Sequence, residues 1–352
     1  MTTDADHSEM EPTEGSTSDL ALLRRRDVAA ALAAFGGYGL LTARSAWGQA
    51  GPNRVALNAI DVHRHFTPPF LVAGQGRPWN MAQSIDDMDQ SGIAKAVLSA
   101  PTQLGENDAR GSQLVRQVNE FGAQLVRDHP TRFGFYTALP MPDVEASLRE
   151  IAYGLDALKA CGVGFATSYG AIYASDPLFE PIWEELNRRK AIAYFHPLVG
   201  ACCNALVAGA PQETTWLEIP YDTGRVVLGF LLRGTFAKYR DIKWFFSHSG
   251  GPIPMLAGRI KNLSAAADLS KIAPDGILAE FQRLYYETGN ANSPPTLAAL
   301  LKFVPLGQVM FGTDHPFVSG AANIADLQRA GLTAAQKSAI LHGNAQRLIP
   351  TL

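Results

Sequence analysis

Short apolar runs rich in β-branched and aromatic residues recur along residues 51–352, and most are separated by segments whose apolar positions repeat at helical spacing. Their centres lie about 25 to 50 residues apart, which suits a strand followed by a crossover helix. The eight runs occupy residues 58–66, 95–100, 132–138, 163–168, 191–196, 242–248, 284–288 and 308–312. Eight alternating units predict one α/β domain, a single (β/α)8 barrel of the TIM type. A doubly wound open sheet is the alternative.

Two of the intervening helices are marked by the residues that begin them. Asp143 can accept hydrogen bonds from the free N–H groups of a first helical turn. Asp176 can do the same for a second helix, and Pro177 stands at the first helical position, where no N–H is needed. The pattern therefore predicts helices after the third and fourth strands.

The first fifty residues differ from the rest of the chain. Residues 1–19 are polar and acidic, and we expect them to be disordered. The arginines at 24–26 then precede an apolar run at 28–41, which is too short to span a bilayer permanently. With small residues at Gly48 and Ala50, this order predicts a cleavable signal that resembles a twin-arginine export signal. An uncleaved amphipathic helix is the alternative.

If the signal is removed near Ala50, the remaining domain (51–352) is exported to the periplasm or the extracellular space. It then carries 26 basic and 26 acidic residues. This balance predicts no nucleic-acid partner and no membrane association after cleavage. The three cysteines, Cys161, Cys202 and Cys203, do not form a disulfide framework, which is consistent with export of an already folded protein.

Several of the predicted strands end in a residue that can bind a metal or carry a proton. His63 and His65 stand two residues apart in the first run, so both can project from the same side of a strand. His196 and His248 end the fifth and sixth runs, and Asp314 follows the eighth. Because parallel strands of a barrel end at one rim, we expect these five side chains to lie close together.

These residues and the motifs around them resemble the amidohydrolase superfamily. The resemblance is strongest to its decarboxylase branch, which includes aminocarboxymuconate-semialdehyde decarboxylase and 6-methylsalicylate decarboxylase, and it covers residues 55–352. The motifs that carry it are Met88-Asp89-Gln90-Ser91-Gly92-Ile93, Gly162-Val163-Gly164-Phe165, Glu185-Leu186-Asn187-Arg188-Arg189-Lys190, Ser247-His248-Ser249-Gly250-Gly251, Phe311-Gly312-Thr313-Asp314-His315-Pro316-Phe317 and Asn344-Ala345-Gln346-Arg347-Leu348.

The resemblance implies a role for each of the converging residues. His63, His65, His196 and Asp314 are the implied ligands of one Zn²⁺ per chain, with Mn²⁺ as the alternative metal. Binuclear members use a carboxylated lysine at the end of the fourth strand, and residues 164–168 contain no lysine, so a mononuclear site is implied. His248 and Asp314 are the implied catalytic residues, and His248 as a further metal ligand or a buried structural histidine is the alternative.

Two further residues are candidate substrate contacts. Arg259 stands where related decarboxylases carry an arginine that reaches a neighbouring subunit and pairs with the substrate carboxylate. The resemblance therefore implies a homodimer, and an ordinary surface arginine is the alternative. His315, next to Asp314, either lines the pocket or packs beside it.

Other residues near the predicted rim carry weaker signals. Glu287 lies on the seventh strand and could be a second acid, although no spacing singles it out. Arg225 is expected on the helix before the sixth strand. Cys202 and Cys203 follow His196 and are expected to be packed or solvated thiols that could also line the mouth.

The resulting hypothesis is a metal-dependent, non-oxidative decarboxylase of a hydroxylated aromatic or dienoic carboxylic acid. A hydrolase that uses the same residues on a lactone, ester or amide is the alternative, since a metal can also activate water. A barrel that binds a ligand without turning it over is a third hypothesis.

Overall fold

The computed structural model describes residues 58–71, 79–100, 109–198, 214–264 and 269–352. The predicted export signal and the pair Cys202 and Cys203 lie outside these ranges. Within them, no helix combines the length and the apolar character that crossing a membrane requires.

Eight parallel strands form one sheet in the order in which they occur along the chain. They are β1 (Ala59–His65), β2 (Ile93–Ser99), β3 (Phe133–Thr137), β4 (Gly162–Ala166), β5 (Ile192–His196), β6 (Lys243–Phe246), β7 (Tyr285–Glu287) and β8 (Val309–Met310). The residues after β8 return to β1, where the N–H of Val62 donates to the Phe311 carbonyl at 3.0 Å and that of His65 to the His315 carbonyl at 2.8 Å. The ends of the sheet therefore meet in a nearly closed barrel, and the predicted fold class is confirmed.

Helices cover the outside of the barrel between successive strands. They are α1 (Met81–Ser91), α2 (Ala109–Asp128), α3 (Val144–Ala152), α4 (Glu180–Arg189), α5 (Ile219–Leu232), α6 (Thr235–Lys238), α7 (Ile253–Leu263), α8 (Ile277–Gln282), α9 (Pro294–Phe303), α10 (Gly320–Arg329), α11 (Ala334–Ser338) and α12 (Asn344–Leu348). Short 3-10 turns occupy Pro69–Leu71, Pro177–Phe179, His248–Gly250 and Leu306–Gln308, and π-helical turns occupy Tyr153–Ala157, Thr214–Glu218 and Ala339–Gly343.

The two predicted helix starts are confirmed. Asp143 accepts a hydrogen bond from the N–H of Ala146 at 2.9 Å, and Asp176 accepts one from the N–H of Leu178 at 2.9 Å. The fourth predicted strand is shorter than expected, because the chain turns after Ala166 into a two-stranded hairpin (Ser168–Tyr169 and Ile172–Tyr173). This hairpin was not predicted.

Apolar side chains form two separate clusters on the two faces of the sheet. The larger one fills the space between the strands and the helices and includes Phe165, Trp183 and Phe195. The smaller one fills the barrel interior below the rim, where Val62 and Tyr194 pack with eight other residues. The strands thus bury both faces, as expected for a parallel sheet.

Candidate metal centre

Five polar side chains converge at the carboxyl end of the barrel, as the sequence predicts. His63 Nε2 lies 3.1 Å from His65 Nε2 and 3.2 Å from Asp314 Oδ1. The Asp314 carboxylate also lies 3.1 Å from His65 Nε2, 3.9 Å from His196 Nε2 and 3.4 Å from His248 Nε2. Candidate ligand atoms of His63, His196, His248 and Asp314 all lie within 4.8 Å of one another. Both His65 and His248 are therefore close enough to be ligands, and the division of their roles stays a prediction.

A bulge in β1 turns His63 towards this centre. The pairing of β1 with β2 shifts register between Asp61 and Arg64, and bulges of this kind commonly re-aim a side chain beside an active site. Val62 packs in the inner apolar cluster, yet the next residue, His63, also faces inward, with its ring 5.7 Å from that of Tyr194. The first candidate ligand thus lies directly above the apolar interior.

Buried charged groups tie the residues after β8 to β1. Asp61 accepts hydrogen bonds from the N–H groups of His63 at 3.1 Å and Thr313 at 3.0 Å. Arg64 donates to Asp61 at 3.1 Å and also to Asp87 of α1. Because Asp61 and Arg64 are fully buried, these hydrogen bonds fix the rim more firmly than surface ion pairs would.

His196 and His248 reach the centre in different ways. His196 is the last residue of β5, and its Nε2 atom is buried with no hydrogen-bond partner among the described residues. His248 begins a turn after β6 with a left-handed φ of 51°. Gly251 follows it, where a Cβ atom would overlap the carbonyl oxygen of Pro220. The glycine lets this turn pack against the first residues of α5.

Asp314 also has a left-handed backbone, with a φ of 63°. Aspartate adopts this conformation more readily than most residues, and such strain is common at functional sites. The N–H of Asp314 donates to the His63 carbonyl at 2.9 Å, so the backbone places the carboxylate beside the first strand.

Glu287 is the site residue that the sequence did not single out. It is fully buried. Its Oε1 atom lies 2.9 Å from His63 Nδ1 and accepts the backbone N–H of His248 at 2.8 Å. The one signal available in the sequence was an acidic residue at the end of an apolar strand, and no local pattern connects Glu287 with His63 or with Gly312, whose Cβ atom would overlap its Oε2 atom.

The electrostatics of the centre suit a cation. Burial keeps the pKa of His196 well below its ordinary value and also lowers the pKa of His65, so both rings are neutral and can offer a lone pair. Burial alone would raise the pKa of Asp314, but the neighbouring histidines, His63 above all, hold it well below the usual range. The carboxylate is therefore ionised.

His63 differs from the other histidines of the centre. Burial lowers its pKa, but the charges of Glu287 and Asp314 outweigh that effect and raise the pKa to about 10. Before Nε2 can bind a metal, its proton has to leave. A buried set of imidazole nitrogens around one carboxylate, including His196 Nε2 with no hydrogen-bond partner among the described residues, fits a divalent metal of the zinc or manganese type.

Comparison with known proteins identifies the family and the fold. A family model described as Amidohydrolase matches residues 60–351. This chain belongs to the amidohydrolase family. The amidohydrolase is 33% identical over 288 residues to decarboxylase macB of Penicillium terrestre, a match that covers 74% of this chain and 85% of the relative. It is 30% identical over 275 residues to the 6-methylsalicylic acid decarboxylase of Penicillium expansum, covering 73% and 84% of the two chains.

A solved structure shares the fold of this amidohydrolase. It is a dihydroxybenzoic acid decarboxylase from Polaromonas sp. JS666, described with bound manganese and the inhibitor 2-nitroresorcinol. The two structures superpose with a TM-score of 0.71 at 23% identity, over 83% of this chain and 97% of that chain. The relatives confirm the predicted family and branch, and the protein is an enzyme of the carboxy-lyase type.

Arg259 and His315 are not among the five converging side chains of the amidohydrolase. Arg259 is exposed on α7 and, with Arg225 of α5, lines an apolar groove of about 260 Å³ on the outside of the barrel. His315 is partly buried, and its backbone carbonyl takes part in closing the barrel. Burial, with Arg64 nearby, lowers the pKa of His315 to about 3. The substrate-binding roles of Arg259 and His315 stay predictions.

Proposed function

We propose that this amidohydrolase removes the carboxyl group of a hydroxylated aromatic acid as CO₂, without an oxidant, at a mononuclear metal centre. The observation that carries the proposal is the convergence of four histidines on the Asp314 carboxylate at the barrel rim. The relative named for 6-methylsalicylic acid supports a substrate with a hydroxyl group next to the carboxyl group, and the solved structure named for dihydroxybenzoic acid supports a hydroxylated benzoic acid.

The side chains divide into those that hold a metal and those that move a proton. His63, His65, His196 and Asp314 would hold a divalent cation, which supplies positive charge to the carboxylate and the adjacent hydroxyl oxygen of the acid. His248 Nε2, 3.4 Å from Asp314 Oδ2, is placed to pass a proton taken up from water to the substrate, directly or by way of that carboxylate. This proton adds to the ring carbon that bears the carboxyl group. The carbon–carbon bond then breaks, and its electron pair restores the aromatic ring as CO₂ leaves.

A substrate panel tests this proposal. Metal-loaded protein is incubated with salicylate, 6-methylsalicylate, 2,6-dihydroxybenzoate and a set of aryl lactones, and CO₂ and acid release are followed separately. We expect CO₂ and the corresponding phenol from at least one hydroxybenzoate. Acid release from the lactones without any CO₂ would replace the proposal with a hydrolase.

We further propose zinc as the native metal. Imidazole nitrogens with one carboxylate suit Zn²⁺, while the manganese described for the Polaromonas decarboxylase supports Mn²⁺ as the alternative. Elemental analysis of protein expressed in the presence of both metals distinguishes them.

A homodimer is proposed for the assembled enzyme. Trp216, before α5, is 78% exposed, and Met255 of α7 is 76% exposed. Tyr221 and Leu256 are also exposed, and both line the groove that contains Arg259. Surfaces of this kind commonly mark protein interfaces. Light scattering should give twice the mass of one chain, and Met255→Glu should shift the protein towards the monomer.

Export is proposed from the sequence of residues 1–50 alone. Lysine at all three of positions 24–26 keeps the charge but removes the arginine pair of a twin-arginine signal. The variant should stay in the cytoplasm when the wild-type protein reaches the periplasm. Equal amounts of both proteins in the periplasmic fraction would contradict this route.

A further inference from the structure

We infer that Glu287 is a positioning residue that sets the metal-binding geometry of His63 and the place of His248 with a single carboxylate oxygen. Oε1 lies 2.9 Å from His63 Nδ1 and accepts the backbone N–H of His248 at 2.8 Å. The other oxygen, Oε2, accepts the N–H of Gly289. Within the described ranges, no lysine or arginine forms an ion pair with this buried carboxylate.

The hydrogen bond to His63 determines which nitrogen faces the metal site. An ionised carboxylate only accepts hydrogen bonds, so His63 Nδ1 has to carry a proton. Nε2 is then the nitrogen that can bind the metal, and this atom lies 3.2 Å from Asp314 Oδ1. Histidine ligands of metals are commonly oriented by a carboxylate in this way.

The same oxygen connects the candidate ligand to the candidate proton carrier. His248 has a left-handed backbone conformation, which costs energy unless its surroundings hold it in place. The hydrogen bond from its N–H to Glu287 is such a restraint. Movement of the Glu287 carboxylate would therefore disturb His63 and His248 together.

Two glycines lack the side chains that would otherwise occupy the space of the Glu287 carboxylate. A Cβ atom at Gly289 would lie 2.8 Å from both Glu287 Oε2 and His63 Nδ1. A Cβ atom at Gly312 would overlap Oε2 and lie 3.0 Å from His63 Cβ. Any larger residue at either position would displace the pair formed by Glu287 and His63.

The variant Glu287→Gln keeps the shape of the side chain but changes its hydrogen bonding. In one orientation the amide NH₂ group faces the N–H of Gly289, donor against donor. In the flipped orientation the NH₂ group faces His63 Nδ1, which must then accept and leave its proton on Nε2. That proton blocks the nitrogen that the metal needs.

The first test measures metal affinity, which does not depend on the reaction catalysed. Titration of metal-free protein with Mn²⁺, followed by electron paramagnetic resonance, should show affinity about 10- to 100-fold weaker for Glu287→Gln than for wild type. Glu280→Gln is the matched control, because Glu280 is equally buried and pairs with Arg240 outside the centre. The control should lose thermal stability but keep its Mn²⁺ affinity. Equal affinity of Glu287→Gln and wild type would overturn the inference.

A measurement on the wild-type protein covers the case in which the variant does not fold. In Zn²⁺-loaded protein labelled with ¹⁵N-histidine, the His63 ring, assigned by its contact with the Tyr194 ring, should carry its proton on Nδ1. A proton on Nε2 would overturn the inference without any Glu287 variant.

The part of the inference that concerns His248 rests on the proposed decarboxylation. At saturating Mn²⁺, Glu287→Ala, which removes the acceptor altogether, should still show a lower kcat, by about 10-fold, with little change in KM, because the backbone N–H of His248 has lost its hydrogen-bond partner. Wild-type kcat under these conditions would show that Glu287 acts through the metal alone and would overturn the assignment to His248. If wild-type protein decarboxylates no acid, the proposed function fails. The metal titration and the ring-proton measurement would still show whether Glu287 orients His63.

Discussion

The inside of the barrel has two layers that are built by the same strands but held together differently. In the lower layer Ile60, Val62 and Phe245 belong to one cluster of apolar side chains. The upper layer begins at the residue after Val62, because His63 belongs to a cluster of buried titratable groups. Burying apolar surface stabilises the fold, whereas burying several ionisable groups together opposes folding unless a ligand compensates. Substitutions in the upper layer should therefore reduce metal binding while the protein stays folded, and substitutions in the lower layer should reduce the free energy of unfolding while metal affinity is kept.

The largest expected effect is in the upper layer. His63→Ala should abolish metal binding and with it activity, because the variant loses a buried candidate ligand whose Nε2 atom lies 3.1 Å from His65 Nε2 and 3.2 Å from Asp314 Oδ1. Elemental analysis after metal loading and dialysis should give about one metal per chain for wild type and none for the variant. The protein should remain folded by circular dichroism.

His129, just after α2, provides the matched histidine control. His129→Ala should keep one metal per chain. Two metals per wild-type chain would contradict the mononuclear site, and metal retained by His63→Ala would remove His63 from the ligand set.

The lower layer should show the opposite response. Phe245 is fully buried, and its ring lies 5.3 Å from that of Tyr194 beneath the centre. Phe245→Ala should lower the free energy of unfolding by about 3–5 kcal/mol, while the folded fraction keeps its metal affinity within a few-fold. Chemical denaturation and metal titration measure the two quantities, and Leu178→Ala, at a half-exposed leucine, is the control. A joint loss of stability and affinity would show that the layers are coupled.

His248 tests whether the upper layer is itself divided. His248→Ala should keep its metal but lose about 100-fold in kcat, the effect expected for loss of a positioned proton carrier. Metal content and steady-state kinetics separate the two effects. If the variant loses its metal, His248 is a ligand, as its distance of 3.4 Å from Asp314 Oδ2 also permits.

The contrast between the layers also explains how much the sequence could predict. The barrel follows from the eight apolar runs, and the rim residues follow from their position at strand ends, since parallel strands end together. The closure of β1 against the residues after β8 agrees with that pattern. These features depend on periodicity along the chain.

Features that depend on distant pairs were not predicted. Glu287 and His63 are separated by 224 positions, so no local pattern relates them. The bulge at Asp61–Arg64 is defined by the pairing of β1 with β2, and the hairpin after β4 is joined to α5 by the hydrogen bond from Tyr173 to Asp222. Such contacts join positions far apart in the chain.

The smallest expected effect concerns Arg259, which lies outside both layers. If Arg259 reaches across a dimer interface to pair with the substrate carboxylate, Arg259→Ala should raise KM about 10-fold and change kcat little, because an arginine–carboxylate pair contributes mainly to binding. Lys261→Ala removes a charge from the same helix and should leave KM unchanged.

Mixed dimers decide whether Arg259 acts across the interface. A dimer of one Arg259→Ala chain and one His248→Ala chain contains one site with both native residues if the site is shared. It contains none if Arg259 serves its own subunit. At a substrate concentration well below KM, verified mixed dimers should therefore recover about half of the wild-type rate per dimer. A rate no higher than the average of the two parent variants would place Arg259 within its own subunit's site or outside the reaction.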